Sequence, residues 1–199
     1  MGTESIYGDH LPELEAVKDR LLREIDTLRK QVKQDYGMDP VEHCLARIKS
    51  EESMREKCRR KGLPETEESA LELIHDAVGI RVVTSFLSDV YLVRDHLASL
   101  PGCQITEEKD YIRHAKPNGY RSYHMILLVD GHVYAEIQIR TISQDTWASL
   151  EHHLKYKKTL NGDTDLIVQE LKRCADELAS TDISMQTIRD AIFQIQREG

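Results

Sequence analysis

The sequence is poor in what secreted, membrane-spanning and nucleic-acid-coating proteins need. Its four cysteines, Cys44, Cys58, Cys103 and Cys174, stand far apart, with no CxxC pair and no histidine at ligand spacing. That pattern argues against a structural zinc site and a disulfide framework, and it fits a reducing, cytoplasmic setting. No apolar run approaches the ~18 residues of a membrane span, and the first residues lack the charged-then-apolar layout of a secretory signal, so no membrane partner is expected. With two Phe and one Trp among 199 residues, the core must be mainly aliphatic. Cations are also in deficit: 27 Lys and Arg against 35 Asp and Glu give −8, which excludes a generally basic coat and gives a single-stranded RNA partner no support. What remains, 40% hydrophobic and 31% charged residues, suits one globular domain with room for a helical annex.

The charge is unevenly spread. Residues 47–61 hold seven bases (Arg47, Lys49, Arg55, Lys57, Arg59, Arg60, Lys61) and three acids, whereas the last forty residues hold eight acids and four bases. A basic island on an acidic chain suggests a local anion site, with a solvated helix face as the alternative that charge alone leaves open.

Periodicity predicts a first helix within residues 1–40, where Leu11, Leu14, Val17, Leu21, Ile25, Leu28 and Val32 recur at helical steps until Gly37 and Pro40. A short strand over 43–49, a charged helix from Ser50 to Lys61 and a short helix over 67–75 follow. Ala77–Thr84 reads as a β-branched strand, and Ser88 as the cap of a helix running to Leu100. Residues 103–113 read as extended. Tyr120–Val129 and His132–Arg140 form a hairpin about Asp130-Gly131, a dipeptide suited to a type I′ turn. Helices over Ser143–Lys158 and most of 164–197 complete an α+β fold: a mixed, mainly antiparallel sheet of about five strands with flanking helices and helical N- and C-terminal extensions.

Polar residues fall into faces on those elements. Tyr134, Glu136, Gln138 and Arg140 share one side of the second hairpin strand, and Tyr120, Ser122 and His124 share one side of the first. A solvent-facing edge gives the same alternation, but an aromatic and an imidazole beside a carboxylate, an amide and a guanidinium resemble a floor for a nucleobase. Arg47 and Lys49 point one way on a strand, and Ser53 and Lys57 align on a helix. Together they set three cations and a hydroxyl around one point, as a polyphosphate requires. Asp76, at a strand mouth beside that cradle, is a natural Mg²⁺ ligand, with Glu136 as the second; the competing role is a turn or cap. Strict alternation puts Asp76 and Arg81 on opposite faces, so a bend near Gly79 is expected if both serve one site.

His75-Asp76 spells the HD dipeptide of metal-dependent phosphohydrolases, but it runs straight into a strand without the further ligands that site needs. His152-His153 lacks HExxH-type spacing and reads as helix surface or core edge.

The blocks Arg47-Ile48-Lys49-Ser50…Ser53…Lys57, Asp76-Ala77-Val78-Gly79-Ile80-Arg81, Lys109-Asp110-Tyr111-Ile112, Lys116-Pro117-Asn118-Gly119-Tyr120-Arg121-Ser122-Tyr123-His124 and Glu136-Ile137-Gln138-Ile139-Arg140-Thr141 occur in the order of the RelA/SpoT family synthetase domain. Trp147–Lys157 follows where that family has a similar helix. The chain resembles a small stand-alone alarmone synthetase. The expected organisation is one synthetase domain over 1–199, with an N-terminal helix in 1–40, a catalytic core over 43–158, a C-terminal helical segment over 160–199, and neither a hydrolase nor a regulatory domain.

The resemblance implies transfer of the β,γ-pyrophosphate of ATP to the ribose 3′-hydroxyl of GDP or GTP, with GMP a further candidate acceptor, releasing AMP and making (p)ppGpp. It implies that Arg47 and Arg81 sandwich the adenine while Lys49, Ser53 and Lys57 hold phosphates. Asp76 and Glu136 would hold Mg²⁺, with Glu136 also taking the hydroxyl proton. Tyr120 would stack on guanine, with Lys116, Asn118, His124 and Gln138 completing the acceptor side. A homotetramer formed through terminal helices is implied as well, although the stripe on 11–32 can equally pack within one chain. Glu107-Glu108-Lys109-Asp110 puts an acid where family members often carry a base, which leaves acceptor choice open. Two other readings use the same residues: a toxin-type relative acting on tRNA 3′ ends or adenosine nucleotides, disfavoured by the −8 charge, and a non-catalytic nucleotide- or RNA-binding module, which would be expected to lose Asp76 or Glu136.

Overall fold

The computed structural model describes residues 5–156 and 164–198. In chain order these form α1 (Leu11–Tyr36), β1 (Val41–Ile48), α2 (Glu51–Lys61), a π-helical turn (Ser69–Leu73), β2 (Val78–Thr84), α3 (Leu87–Ala98), β3 (Cys103–Asp110), β4 (Tyr123–Val129), β5 (Val133–Thr141), α4 (Ile142–Tyr156) and α5 (Thr164–Glu198). The sheet order is β1-β2-β5-β4-β3. Only β2 and β5 run parallel; the other pairs are antiparallel. The expected α+β architecture is the one observed. Residues 1–4, 157–163 and 199 lie outside the description, and with them the expected helix end at Lys157–Lys158 and the start of the 160–199 segment.

The period-two pattern decides the sheet's two faces. Val78, Ile80 and Val82 on β2, Met125 and Leu127 on β4, and Ala135, Ile137 and Ile139 on β5 are all buried, and α1 and α3 pack on this face. From α1, Leu14, Val17, Leu21, Ile25, Leu28 and Val32 enter the same core, so this stripe is consumed within the chain. Each such side chain contributes up to about 1.5–3 kcal/mol of burial. The opposite face carries Arg81, His124, Glu136 and Gln138, with Arg81 in register with Gln138 and Gln138 with His124.

Local chemistry corrects several boundaries. Asp130 (φ 51) and Gly131 (φ 83) both adopt the left-handed region that a type I′ turn needs. The preceding strand starts at Tyr123 rather than Tyr120, because residues 116–120 fold back on themselves: Gly119 N donates to Lys116 O at 2.8 Å and Lys116 N to Tyr120 O at 3.1 Å. β3 stops at Asp110, whose Oδ1 accepts from Ile112 N and Arg113 N, both at 3.0 Å. Ser88 is not the cap of α3. Asp89 reaches back to Phe86 N at 3.2 Å and is itself held by Arg189 at 2.7 Å.

α5 is tied to the core along its length. Trp147 Nε1 donates to Leu171 O at 2.7 Å, Thr141 Oγ1 to Asp182 at 2.6 Å, and Arg121 to Asp176 at 2.9 Å. Its outer side leaves Met185, Ile188, Ile192 and Ile195 exposed at three- and four-residue steps. No helix among the described residues is long and apolar enough to cross a membrane.

Candidate active site

A cavity of about 410 Å³ opens on the polar face of the sheet, lined by Arg47, Asp76, Arg81, Glu136, Gln138 and His152 among others. β1 delivers Arg47 opposite Gly79, which has no side chain to fill the space between Arg47 and Glu136. Asp76 sits in the turn before β2, so strand alternation does not govern it and the expected bend at Gly79 is unnecessary. Lys49 leaves the end of β1 and its N–H pairs with Ala77 O at 2.8 Å.

Asp76 organises this side. Its Oδ2 accepts from Lys57 Nζ at 2.5 Å and Lys49 Nζ at 2.9 Å, while its Oδ1 is buried without a partner. Burial works to raise the pKa of this carboxyl, but the two ammonium groups outweigh it and hold it below the usual aspartate range. Ser50 caps α2, accepting from Ser53 N at 3.3 Å, and its hydroxyl pairs with that of Ser53 at 2.9 Å. Tyr7, buried in the N-terminal segment, donates to Lys49 O at 2.6 Å and braces the cradle from behind; neither charge nor spacing marked it.

The other side is a network. Arg140, 5% exposed, donates to Tyr120 Oη at 2.8 Å, to Gln138 Oε1 at 3.0 Å and to Asp145 Oδ1 at 3.2 Å. Gln138 passes a bond on from Nε2 to Glu136 at 3.1 Å. Tyr120 Oη lies 2.8 Å from His124 Nε2. That oxygen can accept from Arg140 and still give its one proton to Nε2 of a neutral imidazole protonated at Nδ1. Burial and the nearby Arg140, Lys116 and Lys109 charges press the His124 pKa down to about 4, in agreement with that assignment. Lys116 Nζ stands over both the Tyr111 and Tyr120 rings, 4.5 and 4.8 Å from their centroids. Lys109, paired with Glu107 along β3, lies in register with His124 on this face.

Asn118 is occupied in shaping the loop: Oδ1 accepts from Tyr120 N at 3.2 Å and Nδ2 donates to Glu151 at 3.3 Å. Gly119, at φ +90, presses against α5 so closely that a Cβ would lie 2.7 Å from that of Ala175. Arg140 shared its strand row with Glu136 and Gln138 in the sequence, but its burial was not legible there. Ser122 turns inward, fully buried, and donates to Ile139 O at 3.3 Å. His152, read from sequence as surface or core edge, stands at the cavity. His75 stacks on Tyr134, with ring centroids 3.8 Å apart. Among the described residues no group of three or more His, Cys, Asp or Glu side chains could hold a metal; the carboxylates lining the cavity are Asp76 and Glu136.

The family described as a region found in RelA/SpoT proteins matches residues 46–161, which covers every cavity residue just described. The chain belongs to the RelA/SpoT family. It is 41% identical over 180 residues to GTP pyrophosphokinase YwaC of Bacillus subtilis strain 168, covering 84% of this chain and 85% of that one. Its fold superposes on small alarmone synthetase 2 of Bacillus subtilis with a TM-score of 0.72 at 40% identity, covering 90% of this chain and 98% of that one. Small alarmone synthetase 1 of the same organism, bound to its product pppGpp, gives a TM-score of 0.79 at 29% identity, with 92% and 95% covered.

Proposed function

We propose that this RelA/SpoT protein is a (p)ppGpp synthetase, moving the β,γ-pyrophosphate of ATP to the ribose 3′-hydroxyl of GDP or GTP in the cytoplasm as a stringent-response signal. The observation that carries the reading is Asp76, gripped on Oδ2 by Lys49 and Lys57 while Oδ1 is buried and unpartnered, across one cavity from Glu136. Two carboxylates suit Mg²⁺, which draws its remaining ligands from substrate phosphates and water; when bound at Asp76 and Glu136 it neutralises charge on the transferring group. Lys49, Ser53 and Lys57 hold the ATP phosphates, and Arg47 and Arg81 close on the adenine. Glu136 takes the proton from the 3′-hydroxyl as its oxygen bonds to the β-phosphorus. The bond from that phosphorus to the α–β bridging oxygen breaks, and AMP departs with the oxygen. Tyr120 carries the guanine: a base on its ring displaces Lys116 from that face toward the acceptor phosphates, while His124 and Gln138 line the pocket and Asn118 holds its loop.

Labelled ATP offered with GMP, GDP, GTP, ATP and tRNA, with products resolved by chromatography, tests this. Label on a guanine nucleotide with equimolar AMP is expected; label only on tRNA or an adenosine nucleotide, or none at all, overturns it.

We also propose self-association, as a homotetramer, through the exposed Met185, Ile188, Ile192 and Ile195 stripe of α5. Light scattering should give four chain masses, and Ile192→Glu should lower that mass; a monomeric wild type overturns the assembly.

A further inference from the structure

Arg140 is buried, donates to four groups and lies outside every role assigned above. Its Nε donates to Ser122 Oγ at 3.4 Å, one terminal nitrogen to Asp145, and the other to both Tyr120 Oη and Gln138 Oε1. Asp145 is shared, since Arg81 NH1 lies 3.7 Å from the same Oδ1. One guanidinium therefore touches the residue under the proposed guanine and the amide that bonds Glu136. Through one carboxylate it also meets a cation at the proposed adenine. Five donors in a rigid plane can hold such a set, whereas a lysine ammonium has three donors at one point.

We infer that Arg140 is a positioning residue: with Asp145 it fixes the Tyr120 ring, Glu136 through Gln138, and Arg81 in one mutual geometry, so that acceptor and donor are aligned together. This rests on the proposed synthetase reading for what the positioned groups do, but the geometric claim stands apart from it. Arg140 acts on the acceptor through the Tyr120 hydroxyl. Removing either end of that contact therefore has the same consequence, and removing both has little more.

The test uses the full chain as wild type, Arg140→Lys, Tyr120→Phe and the double variant, with Asp145→Asn as a milder disturbance that leaves the guanidinium in place. Three readouts are taken on folded protein: the His124 ring-nitrogen NMR shifts without nucleotide, the GDP dissociation constant by calorimetry, and kcat with KM for ATP and GDP. Arg140→Lys and Tyr120→Phe should each weaken GDP binding ~10-fold, and the double variant no more than about twofold beyond the weaker single variant. Arg140→Lys should also move the His124 shifts and lower kcat, and Asp145→Asn should raise KM for ATP. Unchanged His124 shifts with unchanged GDP binding in Arg140→Lys overturn the inference, as do an unchanged KM for ATP in Asp145→Asn and losses that simply multiply in the double variant. A merely structural arginine would lower the melting temperature and leave all three readouts in place. If wild type makes no pyrophosphorylated nucleotide, the synthetase reading fails, while the His124 shifts still decide whether Arg140 positions the network.

Discussion

The two sides of the cavity are built on different principles. The side made from β1, α2 and the turn at Asp76 is a cluster of charges, with two lysines on one carboxylate oxygen and Arg47 at the cavity wall. The side made from residues 109–124 and β5 is an interlocked lattice in which Arg140, Gln138, Tyr120, His124 and Lys116 each fix another. α5 backs that lattice through Gly119 and Arg121. The contrast follows from what each side is proposed to hold. Phosphate charge is met by ammonium groups that follow it, whereas a flat base needs a ring whose plane is fixed before binding. The proposed transfer needs the two to meet, and Glu136, which shares the cavity with Asp76 and is bonded by Gln138, lies between them.

The largest expected effect lies at that meeting point. Glu136→Gln and Asp76→Asn keep shape but remove charge, and each should cost ~10²–10⁴-fold in turnover with the circular dichroism spectrum unchanged. Asp76→Asn also releases Lys49 and Lys57, so it should raise KM for ATP where Glu136→Gln does not. Near-normal turnover in either variant would remove that residue from the chemistry.

How much of each side was legible in the sequence follows the same division. Arg47, Lys49, Ser53 and Lys57 lie within eleven residues, on elements whose period fixes which side chains align, so the basic cluster was legible; that Lys49 and Lys57 both close on Asp76 was not. The sheet was legible too, because aliphatic alternation and Asp130-Gly131 are local signals. Asp76 was placed correctly, but its supposed conflict with Arg81 was an artefact of extending a strand rule into a turn. The lattice was read only in part. Arg140 and Tyr120 are twenty residues apart and meet because β4 and β5 pair in a particular register. Asp145 joins them from the next helix, and nothing in spacing announces a buried arginine. Tyr7 was invisible for the same reason: its partner is a backbone carbonyl forty-two residues away.

The next effect sharpens the contrast through pH. His124 titrates near pH 4 in the folded chain against an ordinary 6.5, so below 6.5 the unfolded chain binds a proton that the folded one refuses. Stability from this group is therefore full above about pH 6.5 and is lost as pH falls toward 4, on the order of 3 kcal/mol in all. His124→Gln should flatten that part of a denaturant-midpoint profile. An equal slope in both proteins would mean the imidazole is not held neutral by the lattice.

Substitutions on the two sides should separate by substrate. Lys57→Ala and Arg47→Ala remove charge from the cradle and should raise KM for ATP ~10-fold or more, leaving KM for GDP within about twofold. Tyr120→Ala should do the reverse, weakening GDP by ~1–3 kcal/mol. Cross-titration of each substrate at saturating levels of the other reads both. A Lys57 defect confined to the GDP curve would invert the assignment of sides.

The smallest effect tests whether the cradle is as tolerant as its construction suggests. Ser50 caps α2 and pairs with the Ser53 hydroxyl, so Ser50→Ala leaves a helix N-terminus unsatisfied and should cost ~1 kcal/mol, or roughly 2–4 °C in melting temperature. Lys57 lies seven residues beyond the cap and is anchored independently by Asp76, so fraying of the first turn should reach Ser53 but not the ammonium. KM for ATP should therefore rise less than about threefold, KM for GDP should not move, and kcat should hold. If the loss of this one cap instead raised KM for ATP as far as Lys57→Ala does, the cradle would be as pre-set as the lattice opposite it. The two sides would then differ in chemistry but not in rigidity.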